Sequence, residues 1–165
     1  MARPTYTPSP YQGREPRRTD SGGNTQAILN RIGQTKNLAE IDIEEIAKEN
    51  GIAESLVKSF KDSKSELKTT QLRKFFDTII RNQELLREKG WEAAQADFYM
   101  LRPNLAYAKG RKLIPEDFFN LVDTCMKKIP ADNEDQIRKN YDRFVDLMKA
   151  LVAYAKYHGK ESRGD

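Results

Sequence analysis

The sequence predicts an all-α fold, an antiparallel helical bundle of about five to six helices behind a disordered N-terminal arm. Three observations carry this. From Asn24 onward apolar residues recur at three- and four-residue spacing, the period of one helix face. No run alternates with period two, and the β-branched residues are scattered, so no strand is expected. Charged residues are 33% of the chain against 38% apolar, a balance that suits amphipathic helices with heavily solvated outer faces. At 165 residues the chain is the size of one domain and can bury a core.

Residues 1–24 read as the disordered arm. Pro4, Pro8, Pro10, Pro16 and the pair Gly22-Gly23, with almost no aliphatics, leave nothing to bury. Arg3, Arg14, Arg17 and Arg18 flank Tyr6 and Tyr11, a mixture found in flexible nucleic-acid arms and equally in ordinary soluble tails. Residues 25–158 form one bundle domain and 159–165 a disordered tail.

Ala27, Ile28 and Ile32 mark a short first helix. Asp42 is placed to cap a helix carrying Ile43, Ile46 and Ala47, which stops at Asn50-Gly51, a pair suited to a left-handed cap. Leu56, Val57 and Phe60 continue the pattern over residues 52–64. The clearest helix begins at Thr69 or Thr70, either of which can cap it. Its apolar face is Leu72, Phe75, Phe76, Ile79 and Ile80, and it runs to Lys89 before Gly90. Arg73, Asp77 and Arg81 lie four apart on another face and predict intrahelical ion pairs. A following helix, Trp91 to Leu101, is expected to stop at Arg102-Pro103, because proline disfavours a helical residue before it. Asn104 to Lys112 then reads as a turn or two leading to a basic corner at a glycine. Pro115 suits the first turn of the next helix, which carries Phe118, Phe119, Val122, Cys125, Met126 and Ile129 and ends by Pro130. Asp132 is expected to cap the last helix, with Glu134 and Asp135 at its positive end. Its stripe is Ile137, Tyr141, Phe144, Met148, Leu151 and Ala155.

Several function classes are disfavoured. No stretch approaches the roughly 20 apolar residues of a membrane span, and Met1 to Gly23 lack the apolar run of a secretory signal. The single cysteine, Cys125, fits a core position and permits no internal disulfide; a cytoplasmic location follows. The single histidine, His158, stands near the C-terminus and reads as solvated. One cysteine and one histidine build no zinc site, the carboxylate pairs Glu44-Glu45 and Glu134-Asp135 sit beside helix starts, and no phosphate loop is present. No catalytic residue, metal site or cofactor is expected.

Net charge is only +4, but it is unevenly spread. Residues 38–66 hold eight acids and four bases, and residues 68–112 ten bases and five acids. A concentrated basic middle is the footprint of a polyanion partner. Two stretches concentrate it further. In Thr70-Gln71-Leu72-Arg73-Lys74-Phe75 a basic pair sits in the first turns of a helix, where the partly positive helix end gains nothing from it and an anion would. In Pro103-x-Leu105-Ala106-Tyr107-Ala108-x-Gly110-Arg111, cations cluster at a helix end: Lys109, Arg111 and the following Lys112.

These stretches, with Phe144 and Ala150-Leu151-Val152-Ala153-Tyr154-x-Lys156, resemble the small helical subunit of the type III-A CRISPR RNA-guided effector, the Csm complex. The likeness covers roughly residues 67–156 and departs from the family pattern at Lys149 and Ala155, which stand where an acid and a histidine are expected. The resemblance implies a non-enzymatic subunit that stacks head to tail in copies, beside the backbone subunits and the large subunit, against target RNA paired to the CRISPR guide RNA. It implies RNA contacts at Arg73, Lys74, Lys109 and Arg111, and packing roles for Leu72, Phe75, Leu105, Tyr107 and Tyr154. Lys112, Arg81 and Lys156 join the candidate RNA-binding residues on charge and position. The alternative is a helical protein–protein adaptor without RNA affinity, which would expose an apolar groove instead of a cationic surface.

Overall fold

The most regular apolar stripe of the sequence becomes the axis of the molecule. In the computed structural model, which describes residues 21–62 and 67–159, the last helix, α7 (Glu134–Gly159), packs against α2 (Ile43–Ala47), α3 (Ile52–Lys61), α4 (Thr69–Lys89) and a 3-10 turn at Leu38–Glu40. Tyr141, Phe144, Met148 and Leu151 of that stripe are wholly buried, and burying side chains of this size stabilises by about 1.5–3 kcal/mol each. Around this axis lie α1 (Ser21–Gln34), against α3 and α6 (Glu116–Met126), and α5 (Trp91–Gly110), against α4 and α6. Six helices are of ten residues or more, α2 has five, and there is no strand among the described residues.

The turn between the antiparallel helices α4 and α5 is a single residue, Gly90. It ends one helix and starts the next with φ +85°, a region that side chains rarely adopt. A Cβ there would also lie 2.5 Å from Glu134 Oε1. That carboxylate accepts from the Trp91 backbone N–H, so α7 supplies the cap for α5. Further along the pair, Asn82 Nδ2 donates to the Ala94 carbonyl at 3.0 Å. Asn140, fully buried on α7, ties the 3-10 turn and the segment after α6 to that helix. Its amide donates to the Ile129 carbonyl and Asn37 Oδ1, both at 3.1 Å, and its oxygen accepts from Ala39 N and Gln136 Nε2.

Several sequence expectations need correction. Helix α1 starts at Ser21, so the last residues of the expected arm are helical, while residues 1–20 and the tail from 160 lie outside the described residues. Helix α3 ends at Lys61, short of Lys64. Pro103 does not end α5. Both Pro103 and Tyr99, whose carbonyl loses its partner, lie on the exposed side, where water can replace the missing donor. Asp42 caps α2 as expected, accepting from Glu44 N at 3.1 Å. Neither Thr69 nor Thr70 caps α4, which follows Lys68 with no side-chain cap. The cap of α7 is Asn133, which accepts from Gln136 N at 2.8 Å, one residue after Asp132. At Asn50-Gly51 the left-handed residue is Asn50, with φ 55°. Gly51 is needed for a different reason, since a Cβ there would lie 2.5 Å from the Glu45 carbonyl.

Candidate nucleic-acid interface

Because α4 and α5 run antiparallel, the two basic stretches of the sequence meet at one corner. The first turns of α4 face the last turns of α5 across a groove of about 170 Å³. Gln71, Lys74, Phe75 and Thr78 line it from α4, and Leu101, Asn104, Leu105 and Ala108 from α5, with Ile114 and Phe118 beyond. Lys74 lines the same groove as Ala108 and Ile114, the two lining residues that bracket Arg111 and Lys112 in sequence.

Arg73 and Lys74 are exposed, and among the described residues neither forms an ion pair. The expected Arg73–Asp77–Arg81 pairs do not form; Arg81 donates to Thr78 Oγ1 at 3.4 Å instead. Lys109 is partly engaged, its Nζ 3.4 Å from Glu116 Oε1 and 4.8 Å from the centre of the Phe119 ring. Arg111 is exposed and braced, donating to Tyr107 Oη at 3.2 Å with its guanidinium 5.6 Å from that ring's centre. Lys112 is exposed and left-handed, with φ 59°. Lys156 is exposed on the last turns of α7 and does not line the groove, and Arg81 touches it only through Thr78.

Two other arginines near the basic middle are neutralised. Arg102 Nε lies 2.7 Å from Asp123 Oδ1, and Arg87 lies 3.2 Å from Asp142. Burial pushes the Asp123 carboxyl up, but hydrogen bonds and charge from Arg102 and Lys127 outweigh it and hold the group below its ordinary range. Arg73, Lys74, Arg111 and Lys112 therefore stand out as cations with no acidic partner among the described residues. The start of α4, which has no side-chain cap among the described residues, adds to their field through its partly positive end.

Of the expected packing residues, Leu72 and Leu105 are buried. Phe75 is half-buried, edge-on to Phe118 at 5.9 Å. Tyr154 is half-buried and donates to the Ala47 carbonyl. Tyr107 is not a packing residue: it is 65% exposed, and its ring serves Arg111. Helix α5 has neighbours on one side only, so its outer face also exposes Tyr99 and Met100. His158 is likewise not solvated. Its Nε2 lies 3.3 Å from Glu54 Oε2, and its side chain is 13% exposed. Cys125 is wholly buried, which pushes its thiol up to about 12. Among the described residues no group of three or more His, Cys, Asp or Glu side chains could hold a metal ion, and no helix is long and apolar enough to cross a membrane.

Gln71, Thr78 and Asn104, the polar rim of the groove, were not singled out by the sequence reading. Gln71, Lys74, Phe75 and Thr78 share one helix face by spacing, a signal that was available. Asn104 was hidden by the expected break at Pro103.

The Csm2 Type III-A family model matches residues 43–161. The chain is 29% identical over 101 residues, 60% of its length, to a curated protein of Streptococcus thermophilus, the CRISPR system Cms protein Csm2, and spans 80% of that relative. No solved structure matches significantly. The family match takes in α2 to α7 and both basic stretches, so the chain belongs to the Csm2 Type III-A family, a small subunit of the type III-A CRISPR Csm complex.

Proposed function

We propose that this chain is a non-catalytic subunit that holds target RNA paired to CRISPR guide RNA by its phosphate backbone, within the cytoplasmic type III-A complex in antiviral defence. The observation that carries the reading is that Lys74, beside Arg73 at the start of α4, lines one groove with Ala108 and Ile114, between which Arg111 and Lys112 lie in sequence, and that among the described residues none of these four cations forms an ion pair. Cations that are not neutralised by their own protein release counterions from a polyanion. They contact phosphate and not base edges, which suits a complex whose sequence choice is made by base pairing. Lys109 contributes more weakly, being shared with Glu116, and Arg81 and Lys156 act outside the groove. The acidic stretch of residues 38–66 and the basic stretch of residues 68–112 favour head-to-tail stacking of copies, a contact that leaves both ends open. The outer face of α5, with Tyr99, Met100 and Tyr107 exposed, favours an accompanying contact with another Csm subunit.

The test is salt dependence. RNA affinity should fall steeply between low and physiological salt and be indifferent to sequence, and Lys74→Ala should reduce the slope of log affinity against log salt by about one. An affinity nearly independent of salt, or a strong preference for one sequence, would contradict phosphate binding.

A further inference from the structure

The groove beneath those cations has a chemistry that phosphate binding does not use. Its floor is apolar, with Leu105 and Phe118 buried, and Phe75 forms a half-buried aromatic wall. Its rim carries two carboxamides, Gln71 and Asn104, whose side chains have no hydrogen-bond partner among the described residues. The Thr78 hydroxyl is already committed to the Lys74 carbonyl at 3.1 Å. Lys74 adds one ammonium group with no acidic partner at the same rim.

We propose that this groove receives one unstacked nucleobase from an RNA strand whose phosphates the surrounding cations hold, an inference that rests on the RNA-binding reading. An apolar slot of about 170 Å³ is the size of a single ring system, far too small for a partner helix. An aliphatic side chain would fill the floor but leave both amides and the ammonium unused. An acidic side chain would use the ammonium but not the floor. A nucleotide uses all three: an apolar ring face, polar ring edges and an attached anion. Bases inside an A-form duplex are stacked and cannot enter, so the occupant is unpaired, and unpaired bases are the ones that proteins stack on aromatic side chains. A carboxamide offers both a donor and an acceptor and can turn either to the base. The slot therefore reads the presence of a base and not its identity.

The experiment compares the full chain's affinity for a single-stranded RNA with that for a fully abasic strand of equal length and charge, across a salt series. The intact strand should bind at least about fivefold more tightly, the low end of what base–aromatic stacking provides, with the same salt slope. Ala108→Phe fills the half-buried groove wall and should erase the difference while leaving the slope unchanged. Should that variant not fold, Gln71→Ala with Asn104→Ala should reduce the difference from the exposed rim. Equal affinity for intact and abasic strands would overturn the pocket while leaving the RNA reading standing. So would a base-dependent difference that survives Ala108→Phe, or a filled groove that disrupts only assembly with another Csm subunit. No binding of either strand at low salt would defeat the RNA reading itself.

Discussion

Lys112 occupies a position where helices usually place glycine. The end of α5 closes with Leu113 N donating to the Ala108 carbonyl and Lys112 N to the Lys109 carbonyl, both at 2.9 Å. This is a Schellman closure whose left-handed residue is Lys112. A side chain in that conformation costs about 1–2 kcal/mol, and such strain is retained where it serves a site. Lys112→Gly is therefore expected to raise the melting temperature and at the same time weaken RNA binding; a stability gain with unchanged RNA binding would remove Lys112 from the interface. Tyr107 and Phe118 make a second contrast. Tyr107→Ala should move stability by no more than about 0.5 kcal/mol while loosening Arg111, whereas Phe118→Ala should cost about 3–5 kcal/mol, both measurable by denaturant titration. The cations were legible in the sequence because charge type and clustering survive folding. Tyr107 was misread because helical spacing identifies a face without saying whether a neighbouring helix covers it, and α5 is covered on one side only.

Element type was legible wherever the apolar period was long. The stripe of α7 names most of its buried residues, that of α4 names Leu72 and Ile79 but not Asn82, Gln83 or Leu86, and Gly90 marks the turn between α4 and α5 to the residue. The break expected at Pro103 was wrong because proline's cost depends on where the orphaned carbonyl points, a tertiary fact. Pro103→Ala should accordingly stabilise α5, by up to about 3 kcal/mol, and lower stability only if the ring itself packs. The other misreading concerns the end of α7. Glu54, buried on α3, accepts from Asn50 N at 2.9 Å and faces Lys58 and His158. The Asn50 N–H does most to hold its carboxyl below the ordinary value of 4.5, against burial and with help from His158 and Lys58. A depressed carboxylate contributes stability above its unfolded pKa and loses it as pH falls through the folded one. The protein should thus lose stability below about pH 4.5, and Glu54→Gln should remove that part of the loss in melts run between pH 7 and pH 3; an identical pH profile in the variant would show that the buried carboxylate contributes nothing to it. The partnership was invisible in the sequence because Glu54 and His158 are 104 residues apart.

At the scale of the molecule, one core links every helix, and α7 touches most of them. This rigid arrangement turns two basic stretches, distant in sequence, into one corner with a groove beneath it. Charge asymmetry along the chain pointed to a polyanion partner, but the convergence needed the Gly90 turn and the uninterrupted α5. Of the groove only the α4 wall, Gln71, Lys74, Phe75 and Thr78, was legible as one helix face; the rest was not, since the groove is made by three helices at once. The most direct test of the central claim is a paired measurement on the assembled type III-A complex carrying Arg73→Ala with Lys74→Ala, or Arg111→Ala with Lys112→Ala: melting temperature of the chain and target-RNA retention. RNA retention should fall severalfold in each double variant while the chain stays as stable as the unmodified protein, or slightly more so when Lys112 is relieved. Unchanged retention, or a loss that tracks unfolding, would mean that the corner is scaffold and the RNA is held elsewhere.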